Sequence, residues 1–515
     1  MQLATSAQMQ AIDRSAIETC GIPSATLMEN AAKAVAEACI SLINKPARGR
    51  VALFCGCGNN GGDGVAAARF LLQAGLEVRC FLVGSREKMS PDCREMESRL
   101  QAAGGRLEPF APDDPDFAAW CLDCDVLVDA LFGIGLNGQL WGDPYTAVQM
   151  MNTCDIPVVS VDIPSGVEAD TGRVLGLAVE ARRTVTFTRP KLGHFLGQGG
   201  LCCGELSVHD IGIPNHLLQT LPNETQAVCA TDIRLPRRAR DSYKGDYGRV
   251  YILGGCVGYS GAPIFAAKAA VRSGAGLVSL GVPAPLWPVA AAKLDEAMTH
   301  PLPAGKEGAL SVEATEAALK RLEGSDVALI GPGLGRSAGV ASVVRHILKN
   351  LHIPVVLDAD GINALDGHID VLDARRGTFT VLTPHDGEFA RIGGDLSSGD
   401  RLSAARAFAA DHGCVVVLKG HRTIAAFPDG AAYINTTGNP GMAKGGSGDV
   451  LGGIIVSLLG QGLSAREAIP MAVYFHGLAG DLCAKAKGEY GMTPTDMIET
   501  LPQAMRLFDG SGRRL

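Results

Sequence analysis

The sequence has little charge, few aromatic side chains and no excess of basic residues. Charged residues make up 19% and aromatic residues 5% of the 515 residues, whereas hydrophobic residues reach 47%. The chain therefore has enough apolar surface for folded cores and too little charge for a mostly disordered protein. Because 54 acidic side chains outnumber 46 basic ones, the formal net charge is −8. This balance argues against nucleic acid or anionic membranes as partners and favours small-molecule ligands.

The sequence also lacks an export signal and a run able to cross a membrane. Its first residues contain no basic stretch followed by an apolar run, so we expect no secretory signal. Residues 273–292 carry no charge, but Pro283, Pro285 and Pro288 would interrupt a spanning helix. The 15 cysteines are an odd number, and the CxxC at Cys121 and Cys124 has no second copy. We expect a cytoplasmic protein with mainly reduced thiols and no zinc site.

The length is compatible with two large domains or three ordinary ones. Short β-branched runs alternate with helical stretches in two blocks, a pattern typical of parallel sheets covered by helices. In the first block we predict strands at Arg50–Cys55, Glu77–Val83, Asp125–Leu131 and Pro157–Val161. In the second block we predict strands at Arg249–Leu253, Leu277–Val282, Asp326–Ile330, Pro354–Leu357, Thr378–Leu382 and Cys414–Leu418, then a hairpin of Thr423–Phe427 and Ala431–Ile434 turned by Asp429-Gly430. A polar, arginine-rich stretch between the blocks predicts one domain at 1–215, a linker at 216–242 and a second domain at 243–515.

A glycine-rich segment, GCGNNGGDG, follows the first predicted strand at Gly56–Gly64. Gly56, Gly58 and Gly61 match GxGxxG, which between a strand and a helix brings backbone N–H groups close to a pyrophosphate. The next strand ends in Val83-Gly84-Ser85-Arg86 and lacks the acidic residue that holds the ribose in NAD-dependent dehydrogenases. A conventional dehydrogenase is therefore disfavoured.

Polar side chains collect where the strands of the first block end. Asn59, Asn60 and Asp63 lie in the glycine-rich loop, and Asp129 and Asp162 end later strands. Each Asp taken alone could simply cap a turn or a helix. The carboxyl ends of parallel strands, however, meet at one edge of a sheet, where ligands bind. Three polar loops at one edge therefore favour a ligand site whose oxygens can also hold a cation.

The segments CGCGNNGGDG, VDALFGIGL and VDIPSG together resemble the N-terminal YjeF-type domain, the epimerase of hydrated NADH and NADPH, over nearly all of residues 1–215. The resemblance implies that the R and S hydrates are interconverted at nicotinamide C6, with Asp162 as the candidate acid/base. It implies potassium ligands at Asn60, Asp129 and Ser165, in keeping with hard oxygen donors. The substrate contacts that it implies are Asn59, Asn60, Gly61, Gly62, Asp63, Gly133, Ile134, Gly135, Leu136, Asn137, Gly138, Gln139 and Asp162.

The second block carries a glycine-rich approach to a helix, NTTGNPGMAKGGSGDVLGGIIVSLLG at 435–460. At the N-terminus of such a helix, the free backbone N–H groups and the helix dipole together form a binding site for an anion. The same groups stabilise negative charge that develops on the anion during a reaction. Asp449 is a good N-cap for this helix, but the surrounding glycines weaken a helix start unless the backbone must approach a ligand. We predict that Asp449 is a general base, removing a proton from a hydroxyl that attacks a nucleotide phosphate. Neither a Walker A loop nor the protein-kinase motifs occur.

The GxGD arrangement resembles ribokinase-like enzymes. YKGDYGRVYILGG, SGAP, IGPGLG, LDADGIN, TPHDGEF and LKGHRT narrow the resemblance to the hydrated NAD(P)H dehydratase that bacteria often fuse to the epimerase, over about residues 235–505. This resemblance implies dehydration of the S hydrate at the expense of ADP, giving AMP and phosphate, with Mg²⁺ at the phosphates. It implies substrate contacts at Ala262, Gly333, His385 and Asp449, and nucleotide contacts at Lys419, Gly420, His421, Arg422, Thr423 and Gly448. Tyr243 departs from the pattern, because His is common in the family before Lys-Gly-Asp.

The predicted fold is therefore α/β, with an N-terminal Rossmann-like three-layer parallel sheet and a C-terminal ribokinase-like domain. One other function stays open, a ribokinase-like vitamin or sugar kinase fused to a non-catalytic Rossmann-like scaffold. The scaffold would leave the polar loops of the first block without a role. A homo-oligomer is compatible with the composition, but the sequence specifies neither the oligomeric state nor a preference between the NADH and NADPH hydrates.

Overall fold

The computed structural model describes residues 1–44, 49–219 and 224–508. The chain divides into two compact units, Gln2–Asn223 and Met1 together with Glu224–Leu515. Each unit contains a largely parallel sheet with helices, which confirms the predicted α/β class. Within the described ranges, no helix is both long and apolar enough to cross a membrane.

The sheet of the N-terminal unit is parallel throughout its described strands. These are β1 (Arg50–Cys55), β2 (Glu77–Leu82), β3 (Leu107–Pro109), β4 (Val126–Ala130), β5 (Val158–Val161), β6 (Arg183–Phe187) and β7 (Glu205–His209). Their order is β3-β2-β1-β4-β5-β6-β7. The strands β2 and β3 are added on one side of β1, and β4 to β7 on the other, so the strand order switches between β1 and β4. In such folds the ligand binds in the crevice at this switch point, beyond the carboxyl ends of the strands.

Helices cover both faces of this sheet. They are α1 (Ser6–Glu18), α2 (Ser24–Leu42), α3 (Asn59–Gln73), α4 (Pro91–Ala102), α5 (Pro115–Leu122), α6 (Asp143–Thr153), α7 (Gly199–Cys202) and α8 (Asn215–Leu218). Along β1, Val51 and Leu53 pack with α2, α3 and α4, whereas Ala52 and Phe54 pack with α5 and α6. Alternate side chains of a buried strand thus serve two apolar layers, and this explains why β1 reads as an unbroken hydrophobic run.

The second unit has a longer, mixed sheet. Its described strands are β8 (Thr225–Val228), β9 (Arg249–Leu253), β10 (Leu277–Pro283), β11 (Met298–Leu302), β12 (Val327–Ile330), β13 (Val355–Leu357), β14 (Thr380–Leu382), β15 (Val415–Leu418), β16 (Ile424–Ala426) and β17 (Ala432–Asn435). Their order is β11-β10-β9-β12-β13-β14-β15-β16-β17-β8. Only the β15–β16 and β16–β17 pairings are antiparallel among the described strands, so the predicted hairpin is confirmed.

Eleven α-helices accompany this sheet in the described part of the unit. They are α9 (Gly261–Arg272), α10 (Trp287–Lys293), α11 (Ala314–Leu322), α12 (Ala338–Asn350), α13 (Asp360–Asn363), α14 (Asp370–Asp373), α15 (Asp386–Arg391), α16 (Arg401–His412), α17 (Ser447–Gly460), α18 (Ala465–Lys487) and α19 (Pro494–Arg506). The apolar helix α17 is buried against the sheet beside α9 and α18, and the backbone carbonyl of Ala266 leaves room only for glycine at Gly453. This packing fixes the N-terminus of α17, where the glycine-rich segment ends.

The structure contains five described strands that the sequence did not predict, β3, β6, β7, β8 and β11. Two departures concern the second unit directly. The segment expected to be a linker, residues 216–242, contains β8, which pairs in parallel with β17 and so extends the second sheet. The helix predicted to begin near Asp449 begins two residues earlier, at Ser447 with Gly446 as its N-cap, so Asp449 lies in the first turn and is not the cap. Gly446 has φ +103°, which glycine adopts without strain.

Candidate active sites

A cavity of about 1300 Å³ lies in the N-terminal unit where β1, β4 and β5 end. Most of the residues predicted to bind the dinucleotide line it, namely Asn59, Asn60, Asp63, Gly133, Ile134, Gly135, Leu136, Asn137, Gly138, Gln139 and Asp162. Two of the predicted contacts, Gly61 and Gly62, are buried behind this wall and do not line the cavity. Its size suits a ligand as large as a dinucleotide.

Glycines allow two loops of this wall to touch. A Cβ on Gly61 would lie 1.8 Å from the carbonyl oxygen of Gly56, and one on Gly56 would lie 2.1 Å from that of Leu131. The turn between β1 and α3 therefore rests directly on the turn after β4. Asn59 to Asp63, predicted as a loop, form the first turns of α3, whose positive end faces the cavity.

Asp162 ends β5 in a strained conformation with φ +67°. Its buried carboxylate accepts hydrogen bonds at Oδ1 from Lys191 Nζ (2.5 Å) and Thr186 Oγ1 (3.0 Å). Burial raises the pKa of Asp162, but the charge and hydrogen bond of Lys191 outweigh this effect and hold that pKa below its ordinary value. A non-glycine residue with positive φ that is held this firmly is typical of a functional site.

Sequence reasoning missed the partners of Asp162. Lys191 is only 2% exposed, and its ammonium also donates to Thr186 Oγ1 at 2.8 Å. His194 Nε2 lies 2.8 Å from the Asp162 carbonyl oxygen, while its Nδ1 accepts from the Lys191 backbone N–H at 2.9 Å. Burial lowers the pKa of His194 to about 4, so the ring is neutral and braces both residues. The only sequence signal was the run Arg-Pro-Lys-Leu-Gly-His after β6, in which a buried Lys cannot be told from an exposed one.

Asp129 and Ser165, two of the three predicted potassium ligands, form a closed hydrogen-bond network. Asp129 Oδ1 accepts from Ser165 Oγ at 2.6 Å, and its Oδ2 accepts from the backbone N–H of Ser165 and from Ser160 Oγ, each at 2.8 Å. Both side chains are buried and neither lines the cavity. The third, Asn60, does line it, and its buried Nδ2 has no hydrogen-bond partner among the described residues.

Four further carboxyl groups line this cavity, those of Asp92, Asp143, Asp63 from α3 and Asp13 from α1, and the last two have raised pKa values. Burial raises the pKa of Asp63 well above its ordinary value, and the negative charge of Asp162 adds to the effect. Burial likewise raises the pKa of Asp13, to about 6. The site therefore combines one carboxylate held ionised with two carboxyl groups that retain protons more strongly, an arrangement suited to proton transfer.

The second unit gathers charged side chains at the N-terminus of α17. Lys419 Nζ donates to Asp358 Oδ1 at 2.8 Å, lies 3.8 Å from Glu388 Oε2, and would lie 3.3 Å from a Cβ on Gly448. Asp358 follows β13 and also accepts from Thr383 Oγ1 at 2.7 Å. Burial lowers the pKa of Lys419, but the two carboxylates outweigh it and hold the pKa above its ordinary value. The structure thus brings the predicted Lys419 and Gly448 together.

Asp449 lies in the first turn of α17 within reach of the same charges. Burial raises its pKa to about 7, the negative charges of Asp358, Asp360 and Glu388 raise it as well, and Lys419 opposes them. Behind it, His476 Nε2 donates to the Ser447 carbonyl at 2.8 Å, and burial lowers the pKa of His476 to about 4. A carboxyl group with a pKa near the working pH is suited to general base catalysis.

The other residues predicted for the second site occupy loops around this cluster. Gly333 has φ +64°, and a Cβ there would lie 3.2 Å from the Cβ of Ala262, so these two are neighbours. His385 Nδ1 accepts from the backbone N–H groups of Gly387 and Glu388 and thereby caps α15. Gly420, His421, Arg422 and Thr423 form the turn between β15 and β16. Arg422 takes φ +57° and donates to the Thr436 carbonyl at 2.6 Å.

Comparison with known proteins finds a match to each unit. Residues 24–193 match the family model of the YjeF-related protein N-terminus, and residues 250–503 match that of NAD(P)H-hydrate dehydratase. The bifunctional NAD(P)H-hydrate repair enzyme of Moorella thermoacetica is 43% identical over 98% of this chain and 97% of its own. The enzyme of the same name from Thermofilum pendens is 39% identical over 98% of this chain and 96% of its own.

Solved structures resemble the second unit. A ribokinase-like superfamily protein from Enterococcus faecalis is 32% identical and covers 55% of this chain and 96% of its own, with a TM-score of 0.48. The ADP/ATP-dependent NAD(P)H-hydrate dehydratase of Bacillus subtilis, co-crystallised with ATP and Mg²⁺, is 31% identical over 53% of this chain and 95% of its own, with a TM-score of 0.45.

The fold and the two family matches together define a two-domain α/β enzyme with a candidate site in each unit. The relatives align with both units along almost the whole chain. The chain belongs to the family of bifunctional NAD(P)H-hydrate repair enzymes.

Proposed function

We propose that the N-terminal unit interconverts the R and S hydrates of NADH and NADPH at nicotinamide C6, and that the C-terminal unit dehydrates the S hydrate at the expense of ADP. The observation that carries this proposal is the pair of differently tuned carboxyl groups. Asp162 is held ionised beside Lys191 in a dinucleotide-sized cavity, whereas Asp449 has a pKa of about 7 at the N-terminus of a helix. The first suits proton exchange on a bound ring, the second activation of a hydroxyl.

In the C-terminal unit, Asp449 takes the proton of the C6 hydroxyl as its oxygen attacks the terminal phosphate of ADP and AMP leaves. The α17 N-terminus and Lys419 stabilise the negative charge that develops on the phosphate oxygens. The ring nitrogen then expels phosphate and a C5 proton departs, which restores the dihydronicotinamide. Choosing ADP over ATP rests on the family resemblance.

We propose Mg²⁺ for the second site and K⁺ for the first. In the described residues no three His, Cys, Asp or Glu side chains converge as metal ligands. This suits a magnesium ion held mainly by the nucleotide phosphates and by one or two carboxylates, such as Asp358 or Glu388. The positive charge of the ion would neutralise the phosphates. For K⁺, the oxygens of Asn60, Asp129 and Ser165 have the right chemistry. The hydrogen bonds between Asp129 and Ser165 would hold the loop after β5, which contains Ser165, close to the ion.

The alternative, a vitamin or sugar kinase attached to a scaffold, leaves unexplained the buried Asp162–Lys191 pair, because a scaffold would not retain a strained and charged cavity wall. Full-length relatives named as repair enzymes also favour the two-activity proposal. The 15 cysteines are all free thiols, which supports a location in the reducing cytoplasm.

The deciding experiment gives purified protein an R and S mixture of NADH hydrates with excess ADP, K⁺ and Mg²⁺, and follows the return of NADH absorbance. We expect complete recovery, faster than the spontaneous epimerisation measured without protein. A rapid stop after the S fraction would leave the N-terminal unit without epimerase activity. No recovery with either ADP or ATP would favour the kinase alternative.

A further inference from the structure

The N-terminal helix α1 lies before the segment that matches the family model, yet it contributes to the cavity wall. Its buried apolar residues are Met9, Ile12 and Ala16, the stripe by which an amphipathic helix packs onto a core. Asp13 lies four residues after Met9 and therefore on the edge of this same stripe, where it lines the cavity. A carboxyl group thus stands on the inward side of a helix that otherwise buries apolar residues.

Asp13 has no structural task in this helix. Helix α1 is capped by Thr5, whose side chain accepts from Gln8 N, and Gln8 in return accepts from Thr5 N. One carboxyl oxygen of Asp13, Oδ1, is buried and has no hydrogen-bond partner among the described residues. Burying such an atom without a hydrogen bond is unfavourable, so its position on a cavity wall points to a bound ligand as the missing partner. Asn60 Nδ2, on the same wall, likewise has no hydrogen-bond partner in the described part of the chain.

We propose that Asp13 is a second catalytic residue of the N-terminal site, which protonates the C6 hydroxyl of the hydrated nicotinamide. This inference rests on the proposed epimerase function. Asp13 gives its proton to the hydroxyl oxygen, the C6–O bond breaks, water leaves and the ring nitrogen lone pair forms a C6=N1 double bond. Water then adds to the other face of C6, the double-bond electrons return to nitrogen, and the proton of the water passes to the Asp162 carboxylate. Solvent returns that proton to Asp13.

The charges around the two carboxyl groups fit these opposite tasks. Burial raises the pKa of Asp13 to about 6, Lys191 lowers it and Asp162 raises it. Asp162 forms the ion pair with Lys191 and has a pKa below its ordinary value. The loss and addition of water require one group that donates a proton and another that accepts one. The different surroundings of Asp13 and Asp162 give them the different pKa values that these two roles need. Asp63, whose pKa is also raised, is the rival proton donor on this wall.

The test replaces Asp13 by Asn, which keeps its shape, and measures conversion of R NADH hydrate to the S form without ADP by chromatography. Wild-type protein is measured first, since absence of epimerisation there would refute the proposed function and not the role of Asp13. We expect Asp13→Asn to lower kcat at least 100-fold while ADP-ribose, a probe without the nicotinamide ring, binds within threefold of the wild-type affinity. Asp13→Glu should regain part of the rate.

Glu18→Gln is the matched control, because Glu18 is an exposed carboxylate on the same helix that does not line the cavity. The proposal is overturned if Asp13→Asn epimerises within threefold of wild type, if Glu18→Gln loses as much activity, or if ADP-ribose affinity falls in parallel with kcat. A measurement on wild-type protein is independent of any variant: in H₂¹⁸O each inverted product should carry one ¹⁸O at C6, and retention of ¹⁶O contradicts the proposed step.

Discussion

Asp162 and Lys191 form a buried ion pair, and the loss of either member disturbs the site for a different physical reason. Asp162→Ala leaves an ammonium buried without its partner, whereas Lys191→Met lets the pKa of Asp162 rise, because Lys191 is what holds it low. We expect both variants to lose epimerisation by at least about 100-fold while nucleotide-dependent dehydration of the S hydrate stays at the wild-type rate. Chromatography of the two hydrates measures the first activity and NADH absorbance the second.

The exposed Asp155 provides the control for this pair, since Asp155→Asn removes a carboxylate of the same unit outside the cavity. If Asp162→Ala equilibrates the epimers as fast as Asp155→Asn does, the acid/base assignment of Asp162 is wrong.

Asp449 must be ionised to accept a proton, and its pKa is raised to about 7 by burial and by neighbouring carboxylates. The dehydration rate should therefore fall as the pH drops through about 7 and reach a plateau above it. Asp449→Ala should lower dehydration by about 100- to 10,000-fold and leave epimerisation intact. A pH–rate profile of the S hydrate reaction, with the exposed-residue variant Asp295→Asn as the control, measures both effects. A profile that is flat between pH 5 and 9 would contradict the role of Asp449 as base.

Among the secondary-structure elements, the turn that connects β1 to α3 contains glycines that differ in the space available for a side chain. A Cβ on Gly61 would lie 1.8 Å from the Gly56 carbonyl, whereas one on Gly58 would meet nothing within 4 Å. Gly61→Ala must therefore push α3 away from Gly56 at the end of β1, at a cost of about 1–3 kcal/mol. We expect it to lower the melting temperature of the N-terminal unit and to abolish epimerisation, while Gly58→Ala leaves the melting temperature unchanged. Scanning calorimetry with an epimerase assay tests this, and equal behaviour of the two variants refutes it.

The sequence is informative for those elements whose own residues decide their position. The strands β1 and β9 begin and end as predicted, because both are continuous apolar runs buried on two faces and bounded by glycine or charge. β3 has three residues, and β11 is an edge strand that contains Pro301, so neither gives a clear pattern. β8 escaped notice because its pairing with β17 spans about 200 residues of chain.

The same distinction applies to the sites. Asp162 and Asp449 could be predicted as candidate site residues because they stand in motifs at a strand end and a helix start. Lys191 and Asp13 gave no such signal: a single Lys or Asp is usually exposed, and only folding reveals that Lys191 is buried against Asp162 and that Asp13 reaches the cavity.

At the scale of the whole molecule, each compact unit contains its own sheet, core and complete set of candidate catalytic residues. Asp162 and its partners all lie within Gln2–Asn223, and Asp449, Lys419 and Asp358 all lie within Glu224–Leu515. Neither site borrows a described side chain from the other unit in the contacts that define it. The two activities should therefore be separable by single substitutions.

If the two sites work separately, two full-length variants that each lack a different activity should complement each other in one solution. Asp162→Ala protein dehydrates only the S hydrate and Asp449→Ala protein only epimerises, so neither alone should convert pure R NADH hydrate to NADH faster than spontaneous epimerisation allows. An equimolar mixture with ADP, K⁺ and Mg²⁺ should restore complete and rapid recovery, because the S hydrate released by one protein is the substrate of the other. The control is the double variant Asp162→Ala/Asp449→Ala, used at the same total protein concentration as the mixture. It should form no NADH from the R hydrate. If the mixture is no faster than Asp162→Ala protein alone, although Asp449→Ala protein still equilibrates the epimers, the hydrate does not pass through solution and the two sites are not independent.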